Sequence, residues 1–129
     1  MAEIRLDRCP LEDEEIETLF QGSDVPLVAT CRMAEEPDAP RLLELAIMSG
    51  AKYADLEMEA PAAVGRRIRE ACRNYGTVLV RSFHDFEGTP SPEVLRSIYQ
   101  RCRSFGGEVV KIVTTATSKA DSNTVMALY

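Results

Sequence analysis

The chain has 129 residues, a length that holds one domain around one core. Hydrophobic residues make up 45% and charged residues 28%, the mix of a folded soluble domain, and no run approaches the ~18 consecutive apolar residues of a membrane span. The balance of 15 basic and 21 acidic residues gives a net charge of −6, which argues against a nucleic-acid binder with a basic face but allows a small anionic substrate held by a few local arginines.

The start, Met1-Ala2-Glu3-Ile4-Arg5, is already charged and strand-like, unlike a secretion signal, so a cytoplasmic protein is expected. A first strand is predicted over residues 2–7. Charged and apolar residues alternate there, placing Glu3, Arg5 and Asp7 on one face. A wet edge strand would show the same alternation. Glu12 to Phe20 is helical by period, with Ile16, Leu19 and Phe20 on one face. A second strand follows over 25–31, with Arg32 at its end.

The next helix, Arg41 to Met48, carries Leu42, Leu45 and Ala46, and less regularly Leu43 and Met48. In the third strand, over 52–58, Asp55 and Glu57 share a face. Ala63 to Cys72 presents Val64, Ile68, Ala71 and Cys72. In the fourth strand, over 77–83, Val80 and Ser82 share a face that continues to His84. Ser91-Pro92-Glu93 is a helix start: a capping serine, a proline in the first turn and an acid at the positive end of the dipole. That helix runs to Cys102 with Val94, Leu95, Ile98 and Cys102 as its apolar stripe. In the fifth strand, over 108–114, Lys111 interrupts Val109-Val110-Lys111-Ile112-Val113. A last helix is expected from near Ser118 to Tyr129.

Gly22, Gly50, Gly76 and Gly106 recur at near-constant spacing before successive strands, and each is expected as a left-handed helix C-cap. Strands alternating with helices imply a parallel sheet with right-handed crossovers. Two architectures fit: an open doubly wound sheet, or a piece of a (β/α)8 barrel, which in full takes about 250 residues. The cysteines at 9, 31, 72 and 102 form no CxxC motif, so reduced thiols are expected, three of them in or beside apolar segments. A disulfide framework is the lesser reading in a chain of this size.

Strands of a parallel sheet are covered on both faces and should be almost wholly apolar. Lys111 is costly there unless it is paired or its pKa is lowered. A snorkelling lysine and a structural histidine are the plain readings of Lys111 and His84. Both, however, stand near the C-terminal ends of consecutive strands, where parallel α/β folds bind ligands. A desolvated lysine is a nucleophile for ketones, and a histidine moves protons near neutral pH. Arg5 and Arg32 would hold an anionic substrate and lower the lysine pKa further. The residues alone point to Schiff-base chemistry on an anionic carbonyl compound.

Four segments, in order, resemble the type I 3-dehydroquinate dehydratase family. They are Glu3-Ile4-Arg5-Leu6-Asp7, Pro26-Leu27-Val28-Ala29-Thr30-Cys31-Arg32, Ser82-Phe83-His84-Asp85-Phe86-Glu87-Gly88-Thr89-Pro90 and Val110-Lys111-Ile112. The third, similar to the family's S-x-H-D-F-x-x-T-P pattern, is the most specific. The resemblance implies a (β/α)8 barrel and loss of water from 3-dehydroquinate to give 3-dehydroshikimate, a step of the shikimate route to aromatic amino acids. It implies an imine on Lys111, acid/base work by His84, support of the histidine by Glu36, and substrate contacts from Glu3, Arg5 and Arg32. It implies no metal or cofactor, and 3-dehydroquinate as the partner.

The chain departs from the family after Arg32, where Met33-Ala34-Glu35-Glu36-Pro37-Asp38-Ala39-Pro40 replaces an acid followed by glycines. It also matches only the family's second to sixth strands. The expectation is therefore one partial barrel domain over residues 1–129, about five strands, with two bare sheet edges. Such a unit would pair with a second copy as a homodimer, or act as a weakly active or inactive half-barrel module that binds itself or a missing half.

Overall fold

The computed structural model describes residues 1–128. Five strands alternate with five helices: β1 (Ala2–Arg5), α1 (Asp13–Gln21), β2 (Leu27–Thr30), α2 (Ala39–Met48), β3 (Tyr53–Glu57), α3 (Ala62–Tyr75), β4 (Val78–Asp85), α4 (Pro92–Ser104), β5 (Val109–Thr114) and α5 (Lys119–Met126). All neighbouring strands are parallel, in the order β1-β2-β3-β4-β5. That order separates the two architectures. A doubly wound sheet reverses direction at a switch point, whereas here every crossover steps one strand the same way. Right-handed crossovers of that kind put all helices on one face. The chain is an arc of a (β/α) barrel, an open five-stranded sheet.

The apolar core lies between the helices and the outer face of the sheet. Ile16 and Phe20 of α1, Leu43, Ala46 and Ile47 of α2, and Ile68 and Cys72 of α3 pack onto Leu27, Ala29, Ala54, Leu56 and Leu79. A second cluster joins Leu95, Ile98 and Cys102 of α4 to Met58, with Phe83, Val110 and Ile112 against it. Each fully buried leucine or isoleucine contributes roughly 1.5–3 kcal/mol by leaving water. Since the outward side chains fill this layer, alternation sends Glu3, Asp55, Ser82, His84 and Lys111 to the inner face.

Several boundaries differ from the sequence expectation. β1 stops at Arg5, because the amides of Arg8 and Cys9 both donate to the Arg5 carbonyl and the chain turns. Asp7 is therefore in a turn, not in the strand. Strand β2 begins only at Leu27, since the preceding Pro26 has no amide to give the ladder and Val25 is exposed. The buried stripe of α2 is Ala39, Leu43, Ala46 and Ile47, while Met48 is exposed. Val94 of α4 is also exposed. Helix α5 ends at Met126, and Tyr129 lies outside the described residues.

Gly76 is the expected left-handed C-cap, at φ 72°. Gly50 and Gly106 also have positive φ, one residue beyond their caps. Gly22 does not: its φ is −91°. There glycine answers a close approach instead, because an added Cβ would stand 2.9 Å from the Thr18 carbonyl oxygen. Ser91 caps α4 as expected, its hydroxyl accepting from the Val94 amide. All four cysteines are free, with Cys31, Cys72 and Cys102 buried and Cys9 exposed.

Candidate active site

The inner face of the sheet surrounds a cavity of 660 Å³ whose charged side chains are Glu3, Asp55 and Lys111. Lys111 stands at the middle of β5, opposite Ser82 of β4. Its Nζ donates to Asp55 Oδ2 at 3.0 Å and to Glu3 Oε1 at 3.2 Å. The same Glu3 oxygen accepts from the Thr30 hydroxyl at 2.7 Å. The Asp55 carboxylate is wholly buried, and its Oδ1 has no partner among the described residues. That oxygen is an unused acceptor beside the cavity, itself closed to solvent.

Burial alone would lower the Lys111 pKa, but Asp55 and Glu3 outweigh it and hold it above the ordinary lysine value. This corrects the expectation of a lysine poised towards neutrality. The acids that reverse it come from β1 and β3. In this state Lys111 is an ammonium.

His84 lies two residues beyond Ser82 on the same face, opposite Val113 rather than Lys111. Arg32, at the end of β2, donates from Nη2 to His84 Nε2 at 2.8 Å and from Nη1 to Glu57 Oε1 at 3.0 Å. A guanidinium only donates, so His84 Nε2 is the acceptor and the ring proton belongs on Nδ1. Burial and the Arg32 charge together hold the His84 pKa below the ordinary imidazole value. The imidazole is neutral near pH 7, as a proton acceptor must be.

Arg5 takes a different place from the one its strand position suggested. Its Nε donates to Asp7 Oδ1 at 3.0 Å, and Nη2 reaches Glu35 at 3.5 Å. Asp7 also accepts from the Arg32 amide at 3.2 Å. These bonds tie the turn after β1 to the loop after β2. Neither Arg5 nor Arg32 contacts Lys111, whose partners are both acids. Glu36 also stands apart from His84: its Oε1 accepts from the Asp38 amide at 2.9 Å within its own loop.

The structure thus brings together Lys111 with Glu3, and His84 with Arg32. It adds Asp55, Glu57 and Thr30, which the sequence reading left out of the site. The signal for two of them was present: Asp55 and Glu57 alternate on a central strand of a parallel sheet, where acids are expensive.

A profile of the type I 3-dehydroquinase family matches residues 1–129. The 3-dehydroquinate dehydratase of Thermococcus gammatolerans is 41% identical over 98% of this chain and 61% of its own length. That of Desulfotalea psychrophila is 32% identical over 92% of this chain and 55% of its own. Among solved structures, 3-dehydroquinate dehydratase from Geobacillus kaustophilus superposes with a TM-score of 0.78 at 25% identity, over 97% of this chain and 55% of that one. The type I enzyme from Clostridium difficile superposes with a TM-score of 0.85 at 20% identity, over 97% and 56%. The chain spans about three-fifths or less of the length of the curated relatives it matches.

Proposed function

Because the chain belongs to the type I 3-dehydroquinase family, we propose that it carries that family's dehydratase chemistry, eliminating water from 3-dehydroquinate to give 3-dehydroshikimate through an imine on Lys111. The observation that carries this reading is the placement of Lys111: a lysine amine on the inner face of the arc, between two acids able to take its proton, with a neutral histidine on the next strand.

The steps follow from those groups. A substrate hydroxyl that takes Glu3 or Asp55 as its acceptor removes a carboxylate from the ammonium. The Lys111 pKa then falls, and the free amine adds to the ketone carbon with loss of water. The protonated imine withdraws electrons and acidifies the neighbouring C–H. His84 Nε2, released from Arg32, takes that proton and returns it to the departing hydroxyl as water. Hydrolysis of the imine then frees the product and the lysine. Arg32 and Arg5 are suited to the substrate carboxylate, each after exchanging a carboxylate partner of its own. Glu36 would support His84 only after leaving the Asp38 amide. No metal or cofactor takes part in this route.

The test is turnover. Incubation of the chain with 3-dehydroquinate, followed at the ultraviolet band of a conjugated enone, gives product that disappears in Lys111→Ala. Absence of any enone, or equal rates for the two proteins, contradicts the reading.

A second reading concerns assembly. β1 and β5 are edge strands whose outer backbone is unpaired, and Val109 and Met1 at those edges are exposed. Two copies would cover these edges as a homodimer. Light scattering during size exclusion tests this, and a monomer at ~100 μM excludes it. Among the described residues no helix is long and apolar enough to cross a membrane. A cytoplasmic location is the setting in which free cysteines and this substrate would be found together.

A further inference from the structure

Strand β4 carries a charge on its outer face as well. Arg81 alternates with Ser82 and so enters the helix layer, where it is 2% exposed. Its Nη2 donates to the Met58 carbonyl at 3.2 Å, whereas Nε and Nη1 are buried without a partner among the described residues. A guanidinium cannot shed its charge to escape that cost.

Arg81 borders a cavity of 490 Å³, whose lining also includes Arg66 and Arg69 of α3 and Arg101 of α4. None of these four arginines has an ion-pair partner among the described residues. Arg5, Arg8, Arg32, Arg41, Arg67 and Arg96, by contrast, each lie within 4.0 Å of a carboxylate. Of the cations without an ion pair among the described residues, these four line one cavity, whereas Lys52, Arg73, Arg103 and Lys119 lie outside it. Glu59 is the one acid in the lining, and Phe105 supplies an aromatic wall 5.7 Å from the Arg81 guanidinium carbon. The backbone makes room for the arginine stems: a Cβ on Gly107 would stand 2.8 Å from Arg81 Cγ, and one on Gly106 2.5 Å from Arg69 Cδ.

We propose that this outer cavity is a binding site for a small phosphorylated ligand. Its phosphate oxygens accept from Arg66, Arg69 and Arg101, its charge offsets the buried Arg81 guanidinium behind them, and its apolar or aromatic body lies against Phe105. A dianion with three terminal oxygens answers a surplus of guanidinium groups better than a carboxylate, which a single arginine can satisfy. The volume is that of a small-molecule site. Since β4 turns Ser82 and His84 inwards and Arg81 outwards, the site is separate from the Lys111 cavity.

The probes are inorganic phosphate and phenyl phosphate, each compared with sodium chloride at equal ionic strength by thermal melting. Both raise the melting temperature saturably, and phenyl phosphate half-saturates at ~10-fold lower concentration because its ring reaches Phe105. Arg81→Met abolishes the rise, and Arg101→Gln, at an exposed position, weakens half-saturation several-fold. Should Arg81→Met not fold, Arg66→Gln beside Arg101→Gln carries the test. No saturable rise over chloride overturns the proposal, as does a rise unchanged in Arg101→Gln and Arg66→Gln.

Discussion

Lys111 on β5 and Glu3 on β1 approach to 3.2 Å, although their strands are the two edges of the sheet. Flat strands spaced ~4.8 Å apart would place those edges ~19 Å from each other, beyond the joint reach of the two side chains. The ion pair therefore measures the curl of the arc. It also shows how the inner face is held: acids from β1 and β3 converge on one cation from β5.

Removing that cation leaves Asp55 buried without a countercharge. Lys111→Met is expected to destabilise the fold by about 1–3 kcal/mol at pH 7, below the value for a fully buried pair because water screens the partly exposed Nζ. Adding Asp55→Asn should recover much of the loss. Urea unfolding of the two variants checks this, and an additive double mutant would show that the pair is not coupled.

The chain's one histidine gives a pH signature. Burial and Arg32 hold the folded His84 pKa below the unfolded value of ~6.5. Between those two pKa values the unfolded state binds more protons. Stability therefore falls as pH drops through that window and is unaffected by this group above ~6.5. The imidazole proton resonances should titrate below ~6.5, and Arg32→Gln should move the titration upwards. A ring that titrates above ~6.5 in the unmodified chain would contradict the Arg32–His84 contact.

Gly76 and Gly22 should respond differently to alanine. At φ 72°, with no atom near an added Cβ, Gly76→Ala carries only backbone strain, about 1–2 kcal/mol, and Gly76→Asn less. Gly22→Ala has an ordinary φ but meets the Thr18 carbonyl oxygen at 2.9 Å, so α1 must shift at its end. Thermal melts separate the two: Asn is tolerated at Gly76 and worse than Ala at Gly22.

Much of this was legible in the chain. The alternation of apolar helical stripes with β-rich runs placed all ten elements, and the S-x-H-D-F-x-x-T-P segment located His84. What stayed hidden was relational. Lys111 aligns with Ser82, not His84, because register depends on the crossover between β4 and β5. The raised Lys111 pKa depends on Asp55 and Glu3, acids over 50 residues away in sequence that only the curl brings near. The Asp7 partner of Arg5, which was read as a substrate contact, comes from the turn that begins after it. In α2, Ile47 joins Leu43 and Ala46 in the fully buried stripe, while Leu42 and Leu45 pack against its margin, half-buried.

The central claim is that Lys111 forms the covalent bond to substrate. Incubation of the chain with 3-dehydroquinate and sodium borohydride, followed by intact mass and peptide mapping, tests it directly. The account predicts a single reduced adduct on Lys111, absent from Lys111→Ala and slower to form in His84→Ala. No adduct, or an adduct that persists in Lys111→Ala, would contradict it.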